Sequence, residues 1–208
     1  MGLVAAAWES TRFAIWVLVE PQETFERLRQ RGSVGAAIVM IGLALAVRVA
    51  TFFTTAFHFS SAEPSEVNFA GEVLRLLVPL LTWVVANYAV TAILYGEGTL
   101  RAIFVASSYC LAPYVLLTPW ISLATNVLTL SEAALVNGAQ AMVYAWTGLL
   151  FFISVKVIHN YEWGQTLAIT LLTLATMLAT WAVAATIYGL TDQVLHFFRE
   201  VVREALLR

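Results

Sequence analysis

Five apolar stretches, each long enough to cross a lipid bilayer, occupy most of this 208-residue chain. They run approximately over 33–57, 73–95, 102–127, 137–158 and 165–189. At a rise of about 1.5 Å per residue, roughly 20 apolar residues match a ~30 Å hydrocarbon core. None of the five contains Asp or Glu, and a single arginine, Arg48, lies deep within one. With 61% of residues apolar and 12% charged, a water-soluble fold would present sticky surface on every side. The pattern predicts an all-α, polytopic helical membrane protein. It forms a single membrane domain over 1–208: cytoplasmic or interfacial helices over 1–32, a five-span bundle over 33–190, and an interfacial helix over 191–208.

The formal charge of −2 argues against a nucleic-acid partner, because phosphate binding needs clustered cations. The single cysteine, Cys110, falls within an apolar span and reads as a small packing residue, so no disulfide framework exists. The first residues lack the basic start of a cleavable signal and include Glu9, so the first span is expected to serve as its own anchor. Arg12, Arg27, Arg29 and Arg31 precede that span and place the N-terminus in the cytoplasm by the positive-inside rule. The loop from Ser60 to Asn68 carries Glu63 and Glu66 but no basic residue, which suits the outer side. Alternation returns the Gly96–Arg101 loop and the His159–Trp163 turn to the cytoplasm and leaves the C-terminus outside. Arg199, Arg203 and Arg208 then fall on the outer side, interleaved with Glu200 and Glu204.

Two segments read as helices lying on the membrane. In Pro21–Arg31, Pro21 suits a first helical position, where its missing N–H is no loss. Phe25 and Leu28 share one face there, and Gly32 offers a stop. The apolar segment from Phe13 to Val19 is too short to cross and is expected to dip into the cytoplasmic leaflet. In the second segment, Asp192–Arg208, Val194, Leu195, Phe198, Val201, Val202, Ala205 and Leu206 form a stripe with charges opposite. Glu204 and Arg208 stand in the favourable i, i+4 order. This stripe suits an interfacial helix, with a docking surface as the sharper alternative.

Polar residues inside the spans need a reason. Arg48 lies roughly 22 Å into the first span, where an unpaired arginine costs about 2.5–3.5 kcal/mol on insertion scales. Snorkelling, or pairing with an acid such as Glu72 or Glu132, would relieve it, and Arg75 sits in the same layer. Pro113 and Pro119 each delete a backbone hydrogen bond in the third span and kink it. Ser107, Ser108 and Tyr109 are close enough to satisfy freed carbonyls. Thr166, Thr170, Thr173, Thr176 and Thr180 share one face of the last span, a pattern that favours close helix packing. Asn87, beside Tyr88 and Thr91, gives the second span a similar polar patch. No HExxH, GxSxG or paired intramembrane carboxylates appear. His58, His159 and His196 lie far apart, so neither an enzyme nor a bound cofactor is expected.

Taken in order, these pieces resemble a bacterial member of the Yip (Ypt/Rab-interacting protein) family. The resemblance rests on a Pro-x-x-x-Phe helix before the first span (Pro21–Phe25) and a Gly-x-Gly-Thr-Leu-Arg loop (Gly96–Arg101). It continues through a Tyr-x-Leu-x-Pro-Tyr kink (Tyr109–Tyr114), Trp146 in the fourth span, a His-x-Tyr turn (His159–Tyr161), and the Arg-Glu-x-x-x-Arg tail at 203–208. Ser108 stands where the family tends to have Gly. The resemblance implies five spans, a cytoplasmic N-terminus, residence in the cytoplasmic membrane and no enzymatic activity. It further implies a non-enzymatic accessory or scaffold protein that organises membrane or associates with other membrane proteins, for example a transporter complex, or with copies of itself. Pro21, Phe25, Arg27, Arg31, Gly98, Arg101, His159, Tyr161 and Trp163 are the expected contacts with partner or lipid. Arg48, Arg75, Asn87, Tyr109, Pro113 and Pro119 are the expected structural residues within the membrane. The alternative function is a small-solute transporter or channel subunit, with a water-filled cavity lined by Arg48, Asn87 and the threonines.

Overall fold

The computed structural model describes residues 12–59 and 68–206. Most of the acidic Ser60–Asn68 loop, the first eleven residues and Arg208 lie outside the described residues. The described residues are helical and contain no strand.

Helix α1 covers 12–19 and α2 covers Pro21–Arg31. The five crossings follow: α3 (Val34–Thr54), α4 (Phe69–Ile93), the divided pair α5 (Leu100–Tyr109) and α6 (Ala112–Ala124), α7 (Ala133–His159), and α8 (Trp163–Leu206). Short 3-10 turns at Phe57–Phe59 and Leu130–Glu132 lie at the end of the bundle away from the Gly96–Arg101 loop.

The divided third span is the axis of the bundle. Two-thirds of its most apolar window is buried (67%), against 11% for α8. Helix α5 packs on α2, α3, α4 and α7, while α6 packs on α3 and α7. The division falls at Cys110–Leu111, just before Pro113, which lacks the N–H that would continue α5 into α6. Ser108 Oγ donates to Phe104 O (2.8 Å) and Cys110 Sγ to Ala106 O (3.2 Å). Such i−4 bonds often bend a helix. Phe13 of α1 meets Tyr109 edge to face at 6.0 Å, so α1 packs into the bundle beside the break.

Pro21 opens α2 as the sequence predicts, and Thr24, Phe25 and Leu28 form its buried face. Two boundaries differ from the sequence reading. The second span starts at Phe69, capped by the Asn68 side chain accepting from Gly71 N–H (3.1 Å), so Glu72 lies within the first turn of α4. The fifth span and the tail are one 44-residue helix. Gly189 causes no break, and Thr191 Oγ1 bonds back to Ile187 O (2.8 Å) across the expected junction.

Candidate functional site

Two polar clusters, one at each end of the bundle, interrupt an otherwise apolar interior. The first gathers around the loop between α4 and α5. Helix α4 ends with Tyr95 in the left-handed region (φ 56°) and the Gly96 N–H donating back to Thr91 O (2.8 Å). The loop then passes directly under His159, the last residue of α7. A Cβ on Gly96 would stand 2.5 Å from His159 Nδ1, and one on Gly98 2.5 Å from His159 Cε1. Both positions demand glycine for this close approach.

His159 is 2% exposed and fully engaged. The Gly98 N–H donates to Nδ1 (3.2 Å), which fixes the neutral tautomer with its proton on Nε2. That Nε2–H donates to Asn87 Oδ1 (3.1 Å), and Asn87 Nδ2 donates to Thr173 Oγ1 (3.2 Å). One chain of hydrogen bonds therefore joins the loop, α7, α4 and α8. Tyr161 stacks on the imidazole (5.4 Å between centroids) and its hydroxyl donates to Leu94 O (3.2 Å). Partial burial raises the Tyr161 phenol above its ordinary pKa. The packing around Asn87 and His159 leaves no water-sized space.

Two arginines brace this knot. Arg29 donates to Val157 O (3.4 Å) and Ile158 O (3.5 Å) at the end of α7, and faces Glu97 at 3.7 Å. A cation at a helix C-terminus meets both unpaired carbonyls and the negative end of the dipole. Arg101 donates to Gly32 O (2.9 Å), joining α5 to the α2–α3 junction. Lys156 sits 4.8 Å from the Trp163 ring centroid, a cation–π contact at the turn into α8.

The second cluster lies at the other end. Glu72 is 5% exposed and accepts from two arginines: Arg48 of α3, through Nε, and Arg75 of its own helix at 2.8 Å. Above it, Ser122 Oγ meets the Thr54 and Thr55 hydroxyls at 2.7 and 2.8 Å, and Ala56 N–H donates to Thr125 Oγ1 (2.9 Å). These bonds tie the ends of α3 and α6 together. Glu132 does not reach Arg48; it accepts from Thr129 N–H (2.9 Å) in a capping box ahead of α7. A polar cavity of about 520 Å³ opens between α3, α6 and α7, with Arg48 in its wall.

The Yip1 domain model matches the chain over residues 15–184, a stretch that contains the Pro21 helix, the glycine loop, the proline break and the His159 turn. The chain belongs to the Yip1 domain family. No curated protein and no solved structure matches it. The Yip1 domain thus covers all the crossings up to the middle of α8 and leaves the last part of that helix outside the match.

Within this Yip1 domain the nine residues expected to face a partner divide into three groups. Phe25 and His159 are buried and so cannot present their side chains to another molecule; both serve the internal fold. Gly98 lies directly against His159, and Pro21 and Tyr161 are half-buried. Arg27, Arg31, Arg101 and Trp163 remain exposed, Arg27 paired with Glu23 at 3.0 Å. Among the intramembrane residues, Arg48 and Arg75 share Glu72, Asn87 joins His159 to Thr173, and Pro113 and Pro119 lie at the start and the middle of α6. Of the threonine stripe, Thr166 and Thr173 are buried, Thr170 and Thr176 half-buried and Thr180 exposed. Arg29, Thr99 and Glu97 were not among the candidates. Thr99 caps α5 by accepting from Ala102 N–H (3.2 Å), a role its place before an apolar run could have announced.

Proposed function

We propose that this Yip1 domain protein is a non-catalytic accessory or scaffold protein that works by associating with another membrane protein. The observation that carries the reading is the length of α8. Its 44 residues extend roughly 66 Å, about twice the thickness of a hydrocarbon core. Helix α8 packs only on α4 and α7 among its principal neighbours. Beyond the portion needed to cross, Tyr188, Leu190, Val194, Leu195, Phe197 and Phe198 are all exposed, by 49% to 77%. Apolar surface of that extent in water is costly, at about 25 cal/mol per Å². It calls for cover, and the apolar face of a neighbouring membrane protein provides it.

The two ends of the molecule have different parts in this reading. The His159 knot holds the Pro21–Arg31 helix, the glycine loop and the α7–α8 turn as one rigid surface. The positive-inside argument sets that surface in the cytoplasm, with Arg27, Arg31, Arg101 and Trp163 available to partner or lipid. The N-terminus then lies inside, the end of α8 outside, and the host is the cytoplasmic membrane. Solute passage has less support. Asn87 and Thr173 are consumed by each other and by His159, and neither lines the polar cavity at Arg48.

The test is photo-crosslinking in native membranes with benzoylphenylalanine at Phe198, and at Leu178 as a mid-membrane control. A discrete heavier protein adduct from position 198 supports the reading. Adducts to lipid alone from both positions would overturn it.

A further inference from the structure

We propose that the cavity between α3, α6 and α7 is a binding site for the phosphodiester headgroup of an anionic lipid. The inference is independent of the accessory role and rests on the chemistry of the cavity wall. The charge at its floor is unbalanced. Glu72 supplies one carboxylate, while Arg48 and Arg75 bring two guanidinium groups to it. The cluster therefore carries one net positive charge, and Arg48 is the member that lines the cavity.

The wall also holds donors that no described residue satisfies. Thr118 is 5% exposed, yet its hydroxyl has no hydrogen-bond partner among the described residues. The buried amide nitrogen of Gln140, on the facing helix α7, has none either. Both residues line this cavity. An orphaned donor inside a membrane protein is expensive, and an amide nitrogen can only donate. Arginine likewise has no acceptor atom. The wall thus asks for a ligand that brings acceptors and a negative charge, and a phosphodiester does both.

Size and position agree with that chemistry. At about 520 Å³ the cavity exceeds by an order of magnitude the roughly 30 Å³ share of one water. Its wall runs up α3 from Arg48 through Thr51 to Thr55, a rise of about 10 Å. That interval reaches from inside the hydrocarbon to the layer where lipid phosphates sit. Phe52 and Ile121 add apolar flanks suited to the start of the acyl chains.

The experiment is native mass spectrometry of the full chain in detergent, titrated with phosphatidylglycerol, with phosphatidylcholine, and with soluble glycerol 3-phosphate. The proposal expects one phosphatidylglycerol held per chain in preference to phosphatidylcholine. Because the Thr118 hydroxyl and the Gln140 amide nitrogen make no hydrogen bonds among the described residues, T118V and Q140L test the site while sparing the contacts that hold the fold. Each should weaken phosphatidylglycerol binding by about tenfold, the loss of one hydrogen bond to a charged acceptor, with thermal stability of the lipid-free protein unchanged or raised. R48Q should abolish it. Glycerol 3-phosphate binding with the same sensitivity to T118V and Q140L would support the site and assign its ligand to the soluble phase. Equal retention of both lipids, or phosphatidylglycerol binding untouched by T118V and Q140L, overturns the proposal.

Discussion

Gly98→Ala puts a single methyl group where the structure has no room for one. The new Cβ would stand 2.5 Å from His159 Cε1, 2.7 Å from Ile158 Cγ2 and 2.8 Å from His159 Nδ1. The ring has no retreat, because Asn87 holds its far nitrogen and Tyr161 covers its face. Overpacking of this kind costs about 1–3 kcal/mol. If the loop moves away instead, the Gly98 N–H leaves Nδ1, at about 0.5–1.5 kcal/mol. The expected loss is therefore about 0.5–3 kcal/mol, according to which of the two gives way. Equilibrium unfolding in mixed dodecylmaltoside and SDS micelles reads it directly. The decisive comparison is the double-mutant cycle with His159→Ala. Removing the ring makes room for the methyl group, so the two losses must fall short of additivity by at least about 0.5 kcal/mol. Strict additivity would refute the claim that these residues press on each other.

Three further outcomes follow from the geometry. Glu72→Gln leaves Arg48 partly buried without a full counter-charge and should cost about 3–5 kcal/mol, whereas Arg75→Gln, at an arginine side chain 70% exposed, should cost no more than about 1 kcal/mol; equal effects in the same unfolding assay would contradict the central place given to Glu72. Tyr95→Gly relieves a left-handed φ of 56° and should stabilise by about 0.5–1 kcal/mol, a gain that an unchanged or lower unfolding midpoint would deny. Cys110 is 0% exposed, so maleimide should label it only after SDS unfolding; rapid labelling in mild detergent would place the break in the third span elsewhere.

The class of fold was legible because the bilayer imposes its own length scale on every crossing. Arg48, the one deep charge, pointed to a need for a counter-ion, and Glu72, which lay just before the predicted span, meets it from the first turn of α4. Once paired, its charge no longer obliges the span to start after it. The continuity of α8 ran against the sequence reading, which closed the apolar span at 189 and began a separate amphipathic helix at Asp192. Thr191 bonding back to Ile187 and Asp192 facing His196 at 3.8 Å keep the helix running instead. The His159 knot could not be read from the sequence. Its partners lie 61 and 72 positions away in the chain, and no local periodicity reports such a contact. The signal that did exist was the pair Gly96 and Gly98, two residues without side chains in a short loop. That pattern marks a close backbone approach without saying to what.

The association reading stands or falls on what this protein brings with it from the membrane. The most direct measurement is the mass and composition of the complex purified from native membranes in mild detergent. The account predicts a stoichiometric assembly containing a second membrane protein, lost when Leu195 and Phe198 are both changed to Ser. A monodisperse single chain, unaffected by those changes, would contradict it.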